Sequence, residues 1–172
     1  MKHDRIIRDG VDGRKNLSQL ISVTEYQVIP DIRFNSKKVE SLYDWWHSHQ
    51  TDTPRKSSFD IVDHIKDAEG YFLYSVIADD EFYVRVLGEK AIDLLGNRYT
   101  NVRINREAAK VDAHLDALIT YLQKILKNKT AFWCEGEFID QYGRKRRFQS
   151  IDCPLWDNAN NISHIVGVME AI

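Results

Sequence analysis

The chain has 172 residues, of which 43% are hydrophobic and 29% charged, with a formal net charge of −2. That much apolar material supplies one globular domain with a real core and some appended structure. The near-balanced charge argues against a protein whose main task is gripping phosphate backbones, so nucleic acid is not expected as a partner. The two cysteines, Cys134 and Cys153, sit in no C-x-x-C pair or metal-spaced cluster; they suit a reducing compartment and are expected as buried small hydrophobes.

The opening MKHDRIIRDG places charge where a signal peptide needs an apolar run, and no apolar stretch approaches membrane-spanning length. A cytoplasmic protein with no membrane partner is expected. Residues 1–34 read as a tail and arm, and residues 35–172 as the domain. Within the arm, Leu20, Ile21, Val23, Tyr26, Val28 and Ile29 fit either an extra strand ending at Pro30 or a segment laid across the body.

Val39, Leu42, Tyr43 and Trp46 fall at i, i+3, i+4 and i+7, which predicts an amphipathic helix over 36–50. Its apolar stripe must be covered, either by the sheet of its own domain or also by the same helix of a second subunit; on the second reading these four residues form a dimer or partner contact, and Trp45 widens it. His47 and His49 point about 200° apart on a helix and cannot share a metal. Thr51 to Lys56 breaks the helix, and Phe59 to Lys66 is a short mixed segment. Tyr71 to Ala78 reads as a strand, with Asp79-Asp80 as the hairpin turn into a second strand in which Phe82, Val84 and Val86 alternate with Tyr83, Arg85 and Leu87. Gly88 lets the chain turn, and Ala91, Ile92, Leu94 and Leu95 form the face of a short helix that Gly96 stops. Arg85 is a cation within an apolar strand, expected either in a structural pair with Asp60 or a nearby acid, or at an anion site.

The longest predicted helix is Glu107 to Leu126, capped by Asn105, with Val111, Leu115, Leu118, Leu122 and Ile125 as its stripe and His114 beside it. Strands follow at Phe132 to Ile139, Arg144 to Trp156 and Ile162 to Met169, separated by turns at Asp140 to Gly143 and Asp157 to Asn161. The basic run Arg144-Lys145-Arg146-Arg147 faces Glu135, Glu137 and Asp140 across the first of these hairpins, which predicts cross-strand ion pairs, with an acidic docking partner as the alternative. The order strand-strand, helices, strand-strand-strand favours α+β.

The run Tyr83-Val84-Arg85-Val86-Leu87-Gly88, followed eight positions on by Gly96, resembles the "yRlvG...G" core of a bacterial PAS-like domain family. In that family the core is preceded by a tryptophan-bearing helix, here Leu42-Tyr43-Asp44-Trp45-Trp46, and by a Pro-Arg/Ser segment, here Pro54-Arg55-Lys56-Ser57. The resemblance runs from Val39 to Met169. One position departs from it: Thr100 is followed by Asn101 where the family has glycine, and Asn tolerates the left-handed backbone such a turn uses. The resemblance implies a PAS-like five-stranded antiparallel sheet with helices on one face, plus the N-terminal amphipathic helix. It also implies a sensory or protein-interaction module that signals through ligand occupancy or through contacts with itself, as a homodimer, or with a protein partner. No output segment follows Ile172 in the sequence, so the output is expected to pass through such contacts.

On that fold the cup between sheet and long helix would be lined by Phe82, Val84, Val86, Phe132 and Cys134 from the strands, and by Leu118, Leu122 and His114 from the helix. It would hold a small apolar ligand or be plain core. In some haem-binding PAS sensors the axial histidine comes from the corresponding helix, but a core histidine is the favoured reading of His114. Neither cysteine sits in the asparagine-cysteine-arginine motif of photoreactive flavin domains. The cofactor is therefore left open, with haem and flavin disfavoured and no metal site expected. No G-x-S-x-G, P-loop, G-x-G-x-x-G or H-E-x-x-H device is present, and no catalytic residue is assigned. Two alternatives stand beside the sensory one: a small α+β cone enzyme pairing His114 with Asp112 or Asp116, and a constitutive scaffold with no ligand.

Overall fold

The computed structural model describes residues 2–3, 19–95, 101–140 and 142–172. The strands are β1 (Lys2–His3), β2 (Gln19–Gln27), β3 (Tyr71–Ala78), β4 (Glu81–Leu87), β5 (Arg103–Ile104), β6 (Phe132–Ile139), β7 (Lys145–Trp156) and β8 (Ile162–Ala171). The α-helices are α1 (Lys37–Ser48), α2 (Glu89–Leu95), α3 (Arg106–Ala109) and α4 (Ala113–Asn128), and a kinked 3-10 segment, Ile61–Gly70, leads into β3. The strands form one antiparallel sheet in the order β1-β2-β6-β7-β8-β3-β4-β5.

The fold is α+β. The five strands expected from the sequence lie side by side as β6-β7-β8-β3-β4, and the described sheet is wider than five because β2 and then β1 add to one side and β5 to the other. β2 pairs with β6 from Gln19 opposite Ile139 to Gln27 opposite Phe132, and Leu20 and Val23 join the core. Residues 19–27 are thus a strand of the domain, and the sheet begins before the expected boundary at 34/35. Of the expected tail, Lys2–His3 pair with Thr24 and Val23, while the rest of 1–18 lies outside the described residues.

Each face of the sheet carries its own core. On the inner face, α2 and α4 cover Phe72, Tyr74, Phe82, Val84, Phe148 and Ile165. On the outer face, α1 covers Tyr71, Ile151, Cys153, Leu155, Val166 and Val168. The expected placement of helices on one face holds for α2 and α4, with α1 on the other. Ser36 starts α1 by accepting from Val39 N with its Oγ (3.1 Å) and donates to Glu170 Oε2 (2.6 Å), while Gln149 Oε1 accepts from Asn35 N and Ser36 N (both 2.9 Å). At the other end, Trp46 Nε1 donates to Pro154 O (2.9 Å). Val39 and Leu42 are 0% exposed, with Tyr43 and Trp46 close behind. The stripe expected as a dimer or partner contact is therefore covered by the chain's own sheet, because the outer face is apolar and needs that cover.

Two local irregularities redirect side chains. In β4, Val84 opposes Tyr74 but Val86 opposes Leu73, so Arg85 is an extra residue and a β-bulge interrupts the alternation. Beyond it, Val86 turns outward and is 46% exposed, while Leu87 turns to the inner core. In the helical region, Asn105 caps α3 as expected through Ala108 N, but the helix stops at Lys110; Asp112 then caps α4 by accepting from His114 N (3.0 Å). Val111 sits in the break and is 92% exposed, so the stripe restarts at Leu115 and continues through Ile119, Leu122 and Ile125. Gly88 is required by close approach: a Cβ there would lie 2.4 Å from Glu69 O and 2.5 Å from Ala68 O. Asn101 takes φ 54, the left-handed turn expected of it, while Gly96 and Thr100 lie outside the described residues.

Candidate functional site

A cavity of about 70 Å³ lies between the inner face of the sheet and α4. Its apolar wall includes Leu20, Phe72, Tyr74, Leu118, Phe138 and Met169. Its polar groups are Glu25 from β2, Ser150 and Asp152 from β7, and His114 and Tyr121 from α4, with Cys134 between them on β6. The volume is well under the roughly 300–1,000 Å³ of drug-sized ligand pockets. It suits a compact molecule of a few heavy atoms and has no room for a haem macrocycle.

Strand and helix periodicity explain why these groups converge. In β7, Ile151, Cys153 and Leu155 point to the outer core, so Ser150 and Asp152 must point inward. On α4, His114, Leu118 and Tyr121 follow one another at four and three residues and share the face turned to the sheet. Cys134 is opposite Ser150 in the β6–β7 ladder, and Glu25 is opposite Cys134 in the β2–β6 ladder, which puts three of the lining side chains in one row across the sheet.

Asp152 is the most unusual residue of the cavity. It is 4% exposed, and its Oδ2 accepts a 2.7 Å hydrogen bond from the Tyr121 hydroxyl. Burial pushes its carboxyl up to about 7; the Tyr121 bond opposes the rise and the Glu25 charge adds to it. Tyr121 in turn is pushed well above its ordinary value by burial, then by the charge of Asp152. Glu25 forms an ion pair with Lys124 of α4 at the cavity's edge.

Of the eight residues expected to line the cup, Leu118, Cys134 and His114 do so. Phe82, Val84, Leu122 and Phe132 belong to the same inner core but pack solidly beside the cavity, and Val86 faces outward beyond the bulge. Asp112 is occupied in capping α4, and Asp116 is 58% exposed at its side chain and paired with Arg106 (2.6 Å), so neither stands in the cavity with His114. Sequence reasoning missed Asp152, Tyr121, Ser150 and Glu25.

Arg85 finds a partner other than Asp60. Its Nε donates to Ser75 Oγ (2.8 Å) and its guanidinium lies 4.7 Å from the Tyr83 ring centroid, while the Asp60 carboxylate caps the backbone at Val62. The basic hairpin behaves as expected: Arg144 pairs with Asp140 (2.8 Å), Lys145 with Glu137 (2.9 Å) and Arg147 with Glu135 (3.8 Å). Neither cysteine is in a disulfide, and both are buried. Among the described residues no three His, Cys, Asp or Glu side chains are placed to hold a metal ion together, and no helix is long and apolar enough to cross a membrane.

No protein-family model matches the sequence, and no curated protein matches it. Among solved structures, the chain is similar to an RNA-binding Light-Oxygen-Voltage receptor, with 10% identity and a TM-score of 0.47 over 87% of this chain, and it spans only 38% of that receptor. It is also similar to a sensory box histidine kinase/response regulator from Burkholderia thailandensis E264, with 16% identity and a TM-score of 0.36, over 66% of this chain and 85% of the other.

Proposed function

We propose that the chain is a sensory PAS-like module whose inner cavity binds a small, largely apolar molecule and whose occupancy is read by a protein partner or by a second copy of the chain, in the cytoplasm. The observation that supports this best is the cavity itself, roomy enough for several waters and bounded by elements that touch it from β2 to α4. A packed core leaves few voids larger than a water molecule. Native mass spectrometry of freshly purified protein tests the reading: a co-purified small mass or ligand-dependent change of oligomer is expected, and a clean apo species indifferent to a library of small molecules would sink it.

A second reading draws on one specific observation. An acid held at about 7 by burial, in the same cavity as His114, is the kind of group that general acid–base chemistry uses near neutral pH. On that reading the catalytic acid would be Asp152 in place of Asp112 or Asp116. Turnover of a small substrate that is lost in Asp152→Asn, while binding persists, would decide for it.

A further inference from the structure

We propose that the cavity takes a compact aliphatic amine, with its hydrocarbon part against Leu118, Phe72 and Met169 and its ammonium on the Asp152 carboxylate beside Ser150. The inference rests on the reading of the cavity as a ligand site and names the chemistry of the ligand.

Two carboxylates line the cavity, and Lys124 already answers Glu25. Asp152 has a neutral phenol as its hydrogen-bond donor, and among the described residues no lysine or arginine pairs with it. A buried carboxylate without a cation is costly, and Glu25 nearby makes it costlier. An asparagine at 152 could accept the same Tyr121 bond with no such cost, so the acid adds something only when a cation meets it. The rest of the wall, buried side chains of leucine, phenylalanine and methionine with the partly buried Leu118, fits a short hydrocarbon chain. A carboxylate ligand would be repelled by both acids, and a neutral one would leave Asp152 protonated.

The groups around Asp152 in the cavity are Tyr121 and His114 on α4, Glu25 on β2 with its partner Lys124, Cys134 on β6, and Ser150 on its own strand, while the neighbouring Cys153 thiol lies on the opposite face. The ammonium binds the ionised acid, so binding below about 7 must expel a proton. Affinity for the amine therefore falls about tenfold per pH unit below that point and is level above it. Protonation of His114 would repel the ammonium in the same direction, and the slope that survives in Asp152→Asn belongs to it.

The test is a titration of the whole chain, followed by amide NMR, with isobutylamine, isobutanol and isobutyrate at pH 8 and pH 5.5. Isobutylamine is expected to bind at least tenfold tighter than isobutanol at pH 8, to lose that advantage at pH 5.5 and to lose it at both in Asp152→Asn. Isobutanol should be indifferent to pH. If isobutanol or isobutyrate binds as tightly as the amine at pH 8, or the amine's affinity is flat with pH, the amine inference fails and the ligand cavity stands. If none of the three perturbs residues around the cavity, both fail. Should Asp152→Asn not fold, the pH series on the unaltered chain decides alone.

Discussion

The two faces of the sheet solve the same burial problem in opposite ways. Outside, α1 is fixed at both ends by hydrogen bonds to β7, through Gln149 and Pro154, and its stripe is fully covered. Inside, α4 spans a similar apolar surface but leaves a cavity, and it places a phenol, a histidine and a lysine around two carboxylates. A face built for stability alone has no use for Asp152. The outer face is therefore the scaffold, and the inner face is where binding is to be sought.

That contrast can be broken at several points. Trp46→Ala removes the largest anchor of the outer face and its bond to Pro154 O, and is expected to cost about 3–5 kcal/mol, read as a shift of the denaturant midpoint. Asp152→Asn should act in the opposite sense on the inner face. The folded carboxyl titrates near 7 and the unfolded one near 3.8, so the native state holds the extra proton between them; stability contributed by that proton is full below the lower value and lost as pH rises through 7. The variant should therefore match the parent near pH 4 and exceed it above pH 7 by on the order of 4 kcal/mol, seen as melting temperatures that diverge with pH. Gly136→Ala, whose Cβ would lie 2.0 Å from Ser22 O, should push β2 off β6 at a cost of about 1–3 kcal/mol. It disturbs the cavity wall while the fluorescence of the tryptophans over the outer face stays native. Val111→Ser, in the exposed break before α4, should change stability by no more than about 0.5 kcal/mol; a larger loss would mean that the α3–α4 break is covered.

Much of this architecture was legible in the residues. The stripe from Val39 to Trp46 with Ser36 before it defined α1 to within two residues at each end, and the three C-terminal strands follow their turn signals. What periodicity could not give was pairing. The bulge at Arg85 exists only because β3 fixes the register opposite it, so Val86 read as inward by alternation and is not. The break before α4 did leave a signal, an aspartate immediately ahead of an apolar run, and the continuous spacing from Val111 overrode it. Asp152 was illegible for a deeper reason. In β7 the outer-core residues Ile151, Cys153 and Leu155 alternate with Ser150, Asp152 and Pro154, which reads as a wet face until α4 is known to cover it.

From Phe148 to Leu155, eight consecutive residues of β7 are buried, on a strand held between two full-length neighbours. Amide protons there should exchange with solvent only when the whole molecule unfolds, whereas those of β5 and the free ends of the sheet exchange through local fluctuations. The acid of the cavity thus rides on the longest buried run among the described strands, and any motion that adapts the cavity to a small molecule falls to the helix above or the strand beside it.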